Sequence, residues 1–313
     1  MKEVVTGSLG YDYIMNFNGR FADRIMADKL HQISLSFLAD KLSKNFGGTA
    51  ANIAYTLKLL GAEPYIVSTA GHDFSDYKKF LAKHKITSAG IRVVRDEPCS
   101  SYHVVTDRDD NQIGAYHVGA AKYNKELTLR DSEPTKFVVI GPNDPEAMKK
   151  YVRECRTLRF RYLYDPAFQI GNFTPEELRY AIEGAELLIG NDYEIALIEQ
   201  KLGVTHQDLI AMGPKAVITT LGSQGSVVET RHDAIHVAAA KPSNESDPTG
   251  AGDAYRGGFL AGYVRGLDLL TCGQMGSVAA VYTVEKYGTV THHFTKDEFI
   301  KRYRENYNTD LTL

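Results

Sequence analysis

The sequence predicts an α/β fold: a central, mainly parallel sheet with helices on both sides and a small β lid at one end. Two observations predict the layers. From Lys136 onward, short β-rich runs at 136–141, 161–164, 186–189 and 215–220 alternate with amphipathic segments near 145–157, 175–183 and 192–202. Strands that alternate with helical patterns build parallel sheets covered by helices. The N-terminal part opens in the same way, with a strand at 3–9 and a helix near 49–60, where Ile53, Leu57 and Leu60 share a face and Gly61 ends the helix. A third observation predicts the lid. Two insertions interrupt the pattern, one at roughly 12–45 and one at roughly 92–119. The second reads as a hairpin, because Tyr102 to Thr106 and Gln112 to Val118 flank the turn-forming Asp107, Asp109, Asp110 and Asn111. There is no repeat, low-complexity tract or Pro/Ser-rich linker, so residues 1–313 read as a single domain with the lid inserted in it.

Composition narrows the function. With 313 residues and 43% hydrophobic content the chain is long enough for a sizeable core. Its 36 basic and 39 acidic residues leave a net charge of −3, which argues against nucleic acid or an anionic membrane as partner. Small molecules are the expected partners. No uninterrupted apolar stretch approaches the roughly 20 residues that span a membrane, and Met1 is followed within a few residues by strand-like Val4, Val5 and Thr6. Cys99, Cys155 and Cys272 are odd in number and far apart, so neither a disulfide framework nor a zinc site is expected. A reducing cytoplasm is the expected setting.

The most informative stretch is Asp247-Pro-Thr-Gly-Ala-Gly-Asp253-Ala-Tyr-Arg-Gly-Gly-Phe259, a small-residue turn running into a helix that ends near Gly266. A helix start offers free N–H groups, and Gly250, Ala251 and Gly252 let a phosphate approach them, with the helix dipole favouring negative charge. Asp253 in the first turn can take a proton from a hydroxyl held against that phosphate. By composition alone it is equally a helix N-terminal acid beside a glycine turn. No G-x-x-x-x-G-K-[ST] occurs, and Tyr255 stands where a dinucleotide fingerprint needs its third glycine. A second segment, Gly47-Gly48-Thr49-Ala50-Ala51-Asn52, permits a sharp bend and close ligand approach, with Asn52 able both to donate and to accept toward a sugar hydroxyl.

The stretch from Asp247 to Phe259 resembles the C-terminal signature of the ribokinase (PfkB carbohydrate kinase) family, and Gly47 to Ala54 resembles its di-glycine signature. The resemblance covers essentially the whole chain. It implies a three-layer ribokinase-like sandwich, an ATP-dependent kinase acting on an alcohol group, Asp253 as catalytic base, and Gly250, Ala251 and Gly252 as anion hole. In the signature, the aromatic after Asp253 is followed by what reads as a glycine-rich turn. Asp12 matches the family's diol-binding Asp, with Asn16, Gly47, Gly48 and Asn52 beside it. Asn191 and Glu194 match an N-x-x-E element that helps position Mg²⁺ and the triphosphate through water, although the same pair reads as a helix cap with its capping box. Thr220, Gly222 and Gly225 match a T-x-G-x-x-G loop at the nucleotide. Asp247 and Thr249 match the oxygens that hold a potassium-like cation in some members. Asp165, in Tyr164-Asp-Pro-Ala-Phe168, either faces the acceptor or forms an Asp-Pro turn.

Within the family, the 7–60 region looks closest to prokaryotic adenosine or nucleoside kinases, through Gly7 to Phe21, His31-Gln-Ile-Ser-Leu-Ser-Phe37 and Asp110 to His117. That implies phosphorylation of the 5′-hydroxyl of a ribonucleoside such as adenosine, with Met15, Phe17, Phe37 and Tyr116 lining a base slot. The alternatives are a kinase of a free ribose- or fructose-type sugar and a non-catalytic nucleotide-binding regulator. The exposed face of the lid is the expected surface for a homodimer.

Overall fold

Residue burial along each strand shows how the layers form. The computed structural model describes residues 2–26, 29, 32, 34–109 and 111–313; His31, Ile33 and Asp110 of the segments quoted above lie outside them. Leu187 and Ile189 pack with the hydrophobic cluster on one side of the main sheet, while Leu188 between them packs with the cluster on the other. A strand buried on both faces is what a parallel sheet between helices requires.

Among the described residues the main sheet has nine strands: β1 (Lys2–Thr6), β4 (Pro64–Ala70), β5 (Ile91–Val93), β8 (Thr135–Ile140), β9 (Tyr162–Tyr164), β10 (Leu187–Asn191), β11 (Ala216–Thr220), β12 (Ser226–Glu229) and β13 (Ala234–Val237). Their order is β13-β12-β11-β10-β9-β8-β1-β4-β5. The pairs from β11 to β5 are parallel, and β12 and β13 add an antiparallel edge. One side is covered by α1 (Thr49–Leu59), α2 (Ser75–Lys83), α7 (Ala251–Tyr263), α8 (Leu269–Val284) and α9 (Lys296–Tyr307). The other carries α3 (Pro145–Leu158), α4 (Pro175–Gly184), α5 (Asp192–Leu202) and α6 (His206–Met212).

The expected helices start where caps allow them to. Asp144 accepts from the Ala147 amide, and Thr174 and Glu177 form a capping box, each ahead of a proline at the first helical position. The first strand is shorter than the expected 3–9, because Gly7 turns the chain at φ 149° and the Ser8 carbonyl accepts from the Ala50 amide at 3.1 Å.

A second sheet, in the order β3-β2-β6-β7, is built from β2 (Gly10–Phe17), β3 (Ala39–Gly47), β6 (Ser100–Thr106) and β7 (Gln112–His117). The β6–β7 hairpin closes where expected. The Asp107 carboxylate accepts from the amides of Asp109 and Asn111 at 2.9 Å each and from the Phe21 amide at 2.8 Å, tying the hairpin to the segment after β2. Side chains alternate across a strand. Asp12 stands opposite Tyr102, which in turn stands opposite Tyr116. Met15 is an odd number of residues from Asp12 and so lies on the other face, opposite Leu42 and Val105. It does not line a slot with Asp12. Phe17 and Phe37 form a cluster with Phe21, centroids 4.9 to 6.0 Å apart, which is the lid's own core.

Gly257 and Gly258, which read as a glycine-rich turn in the signature, lie inside α7, within the helix expected to end near Gly266. A Cβ on Gly257 would stand 2.7 Å from Thr56 Cβ of α1, and one on Gly258 would stand 2.6 Å from the Met275 carbonyl oxygen of α8. The glycines let α7 run pressed between two helices. Gly266, at φ 82°, turns the chain just beyond. Gly258→Ala should therefore destabilise the protein despite the roughly 1 kcal/mol that alanine gains in helix propensity, because the clash is with backbone and overpacking costs about 1–3 kcal/mol. Urea denaturation should show a net loss on the order of 1–2 kcal/mol; equal or greater stability of the variant would refute this packing account.

Candidate active site

The carboxyl ends of adjacent parallel strands deliver Asp165 just after β9, Asn191 at the end of β10 and Thr220 at the end of β11. Ligands of open α/β sheets bind at this edge. Two helix N-termini point at it from above. Gly48, at φ 91°, starts α1, and Gly250, at φ 83°, starts α7; both angles favour glycine.

At the start of α7 the Ala251 amide donates to the Pro248 carbonyl at 3.1 Å, so that amide is spent within the turn. Among the described residues the amides of Gly250 and Gly252 have no partner, leaving an anion-accepting concavity smaller than the sequence suggests. Asp253 follows in the first turn and accepts from Asn52 Nδ2 at 2.8 Å. This bond joins the two signature segments, 201 residues apart. Among the described residues Asn52 Oδ1 is buried without a partner.

Asp12 reaches the same region from the second sheet. It is 8% exposed and accepts from the Thr289 hydroxyl at 2.9 Å. A Cβ on Gly47 would fall 2.1 Å from Asp12 Oδ2, which explains one of the two glycines; the other, Gly48, supplies the positive φ. Successive residues beyond α8 hold three parts of the site. Tyr287 donates its hydroxyl to Asn16 Oδ1 at 2.5 Å, the Gly288 amide donates to Asp247 Oδ2 at 2.9 Å, and Thr289 serves Asp12. Val290 follows at φ 47°, an unusual conformation for a β-branched residue. The other Asp247 oxygen accepts from the Thr249 amide at 2.9 Å.

Asn191 and Glu194 form the capping box of α5: Asn191 Oδ1 accepts from the Glu194 amide and Glu194 Oε2 from the Asn191 amide, both at 2.8 Å. Thr220 and Gly225 border a cleft of about 630 Å³ whose other walls include Ala239, Ala251, Tyr255 and Ala280. The cleft is mostly small and apolar, a shape suited to a flat heterocycle. Ala251 belongs to the signature, but Ala239 and Ala280 carry no motif, which is why sequence reading missed them. Gly222 also borders it, at φ 58°. Tyr116 is partly exposed and faces Phe168 across 6.3 Å.

Asp165 differs from expectation. It is 1% exposed, with its two oxygens on Arg256: Oδ2 lies 2.5 Å from Nε, and Oδ1 accepts from Nη2 at 3.0 Å. It is the partner of a buried cation rather than an acceptor-facing group. Arg256 itself was missed. The available signal was a charged residue amid small and aromatic neighbours, one turn after Asp253. Among the described residues no group of three or more His, Cys, Asp or Glu side chains is arranged to hold a metal ion, and no helix is long and apolar enough to cross a membrane. The three cysteines are free and buried.

The chain is similar in sequence and fold to known proteins. The model of the pfkB family carbohydrate kinases matches residues 12–295. A nucleoside kinase of Methanothermobacter thermautotrophicus is 33% identical over 304 residues, covering 96% of this chain and 94% of that one. The structure of a nucleoside kinase of Burkholderia thailandensis in complex with inosine is similar with a TM-score of 0.92 at 30% identity, covering 98% of this chain and 99% of that one. A ribokinase of Thermotoga maritima shares the fold, with a TM-score of 0.80 at 21% identity over 98% of this chain and 100% of that one.

The site's electrostatics carry a measurable consequence. Burial, reinforced by the nearby carboxylates of Asp165 and Asp12, pushes the Asp253 carboxyl up to about 7, against the pull of Arg256 and the Asn52 hydrogen bond. Burial and the Asp247 charge push Asp12 to about 6, with the Thr289 hydroxyl opposing. A carboxyl whose pKa is higher folded than unfolded makes the native state take up protons, so stability falls as pH rises from the ordinary carboxylate range to about 7. Asp253→Asn should accordingly melt higher than the wild type at pH 8, with the gap closing toward pH 4. A gap that does not change with pH would show that the charge of Asp253 does not burden the fold.

Proposed function

Since the chain belongs to the pfkB family of carbohydrate kinases, we propose that it is an ATP-dependent phosphotransferase acting on the 5′-hydroxyl of a ribonucleoside such as adenosine. The observation that carries the reading is the convergence of Asp12, Asn52 and Asp253 on one water-poor cleft beside the glycine turn of α7. Asp253 is placed to take the proton of the acceptor hydroxyl as its oxygen attacks phosphorus, and the free amides of Gly250 and Gly252 to receive the negative charge that builds up. Asp12 is suited to a vicinal diol. The unpartnered Asn52 Oδ1 supports the same reading, since a buried acceptor without a donor is costly and a sugar hydroxyl would satisfy it.

Nucleoside kinases stand among the relatives at 30% identity or more, one of them bound to inosine. These support a nucleoside over a free sugar, whereas the ribokinase likeness at 21% speaks to fold alone. The apolar cleft beyond Thr220 suits the ATP base, with Gly222 and Gly225 near its phosphates. Asn191 and Glu194 each spend one oxygen on capping, leaving Glu194 Oε1 to orient the water shell of Mg²⁺, an ion that when bound neutralises phosphate charge. Burial, with Asp165 nearby, raises the Glu194 pKa, as expected of a carboxylate that awaits a cation. Asp247 and Thr249 are the residues we assign to a potassium-like ion beside the anion turn.

Asp253→Asn should lower turnover by roughly 10²–10⁴-fold while ADP affinity, measured by calorimetry, stays close to wild type. Turnover above half of wild type would remove Asp253 from the base role. The acceptor assignment has its own check. A carboxylate deprived of a hydroxyl partner in a closed site costs about 1–3 kcal/mol, so 2′-deoxyadenosine should be a poorer substrate than adenosine, and Asp12→Ala should harm adenosine far more than the deoxynucleoside. Efficient use of ribose or fructose with none of adenosine, inosine or guanosine would instead favour the sugar kinase.

A further inference from the structure

Arg256 lies four residues beyond Gly252 on α7, on the same helical face, and helical side chains lean back toward the N-terminus. Its guanidinium accordingly crosses Gly252: a Cβ there would stand 2.8 Å from Arg256 Nη1. The missing side chain is what lets the cation reach the start of the helix. That end of a helix is already positive, and a cation there is unfavourable unless anions meet it. Asp165 is one such anion: its Oδ1 accepts from Nη2 and its Oδ2 stands 2.5 Å from Nε without a hydrogen bond to it, both residues being nearly inaccessible to solvent. Nη1 remains. Among the described residues it has no hydrogen-bond partner, and it sits beside the exposed backbone of Gly252, whose amide is also free.

We propose that Arg256 is a further catalytic residue, locked in place by Asp165, whose Nη1 donates to an oxygen of the phosphoryl group as it is transferred. The inference rests on the kinase reading above. In the step, the acceptor oxygen forms its bond to the γ-phosphorus as the bond from that phosphorus to the ADP oxygen breaks, and the acceptor proton passes to Asp253. Arg256 exchanges no proton. It supplies a fixed donor and a positive charge where negative charge accumulates, and its fork, gripped by a carboxylate, loses little freedom in doing so.

A structural ion pair would leave a different signature from a γ-phosphoryl contact. Calorimetry with Mg²⁺ and either ADP or the β,γ-imido analogue of ATP needs no acceptor, so a failure of the nucleoside assignment leaves this arm intact. In Arg256→Met, affinity for the imido analogue should fall roughly tenfold or more relative to ADP, and turnover should fall roughly 10²–10³-fold with little change in nucleoside KM. The double variant Arg256→Met/Asp165→Leu replaces the pair with apolar groups and should recover the melting temperature, as buried ion pairs exchanged for hydrophobic residues commonly do, without recovering the affinity ratio or turnover. Parallel loss of both nucleotides in Arg256→Met, or recovery of turnover in the double variant, would overturn the proposal.

Discussion

Two carboxylates, Asp12 and Asp253, have to share one poorly hydrated cleft, and much of the rest of the structure depends on that constraint. Among the described residues neither is neutralised by a direct ion pair. Asp12 has a hydroxyl donor in Thr289, Asp253 has an amide donor in Asn52, and the nearest buried cation, Arg256, is bound to a third carboxylate. Dipolar partners hold a carboxylate in place without cancelling its charge, and the pKa values therefore stay high. A carboxyl with a value near neutrality can both bind and release a proton near that pH.

The scaffold meets the constraint with backbone rather than with bulk. Asp12 fits because Gly47 has no side chain, Arg256 reaches the helix start because Gly252 has none, and α7 can be held between α1 and α8 because Gly257 and Gly258 have none. Each absence lets a rigid element approach another closely, so the reacting groups rest on helices and on the edge of a sheet. Positions fixed in that way hold catalytic geometry better than positions on loops.

The parts of this arrangement legible in sequence are those with a local cause. Helices α3, α4 and α5 begin within a residue of expectation because their caps lie next to their periodic segments, and the β6–β7 hairpin was marked by Asp107 and Asn111. The motif residues Asp12, Asn52 and Asp253 do come together. What was not legible depends on distant partners. The pairing of Asp165 with Arg256 spans 91 positions, the close approach at Gly257 and Gly258 depends on α1 and α8, and the face on which Met15 stands follows from strand register. The cleft's remaining alanines, such as Ala239 and Ala280, have no motif because smallness, not chemistry, is their requirement.

The segment Tyr287–Val290 carries one more consequence. Adjacent residues there bond Asn16 and Asp12 in the second sheet and Asp247 ahead of the turn that starts α7, and the strained Val290 comes next. Contacts made at consecutive positions to three separate places leave no slack between them, so the segment is constrained in length more tightly than in composition. Related chains can exchange side chains here while keeping the count, whereas a single inserted or deleted residue would put all three attachments out of register at once. In the evolution of this fold the stretch should behave less like a surface loop than like a gauge of fixed length.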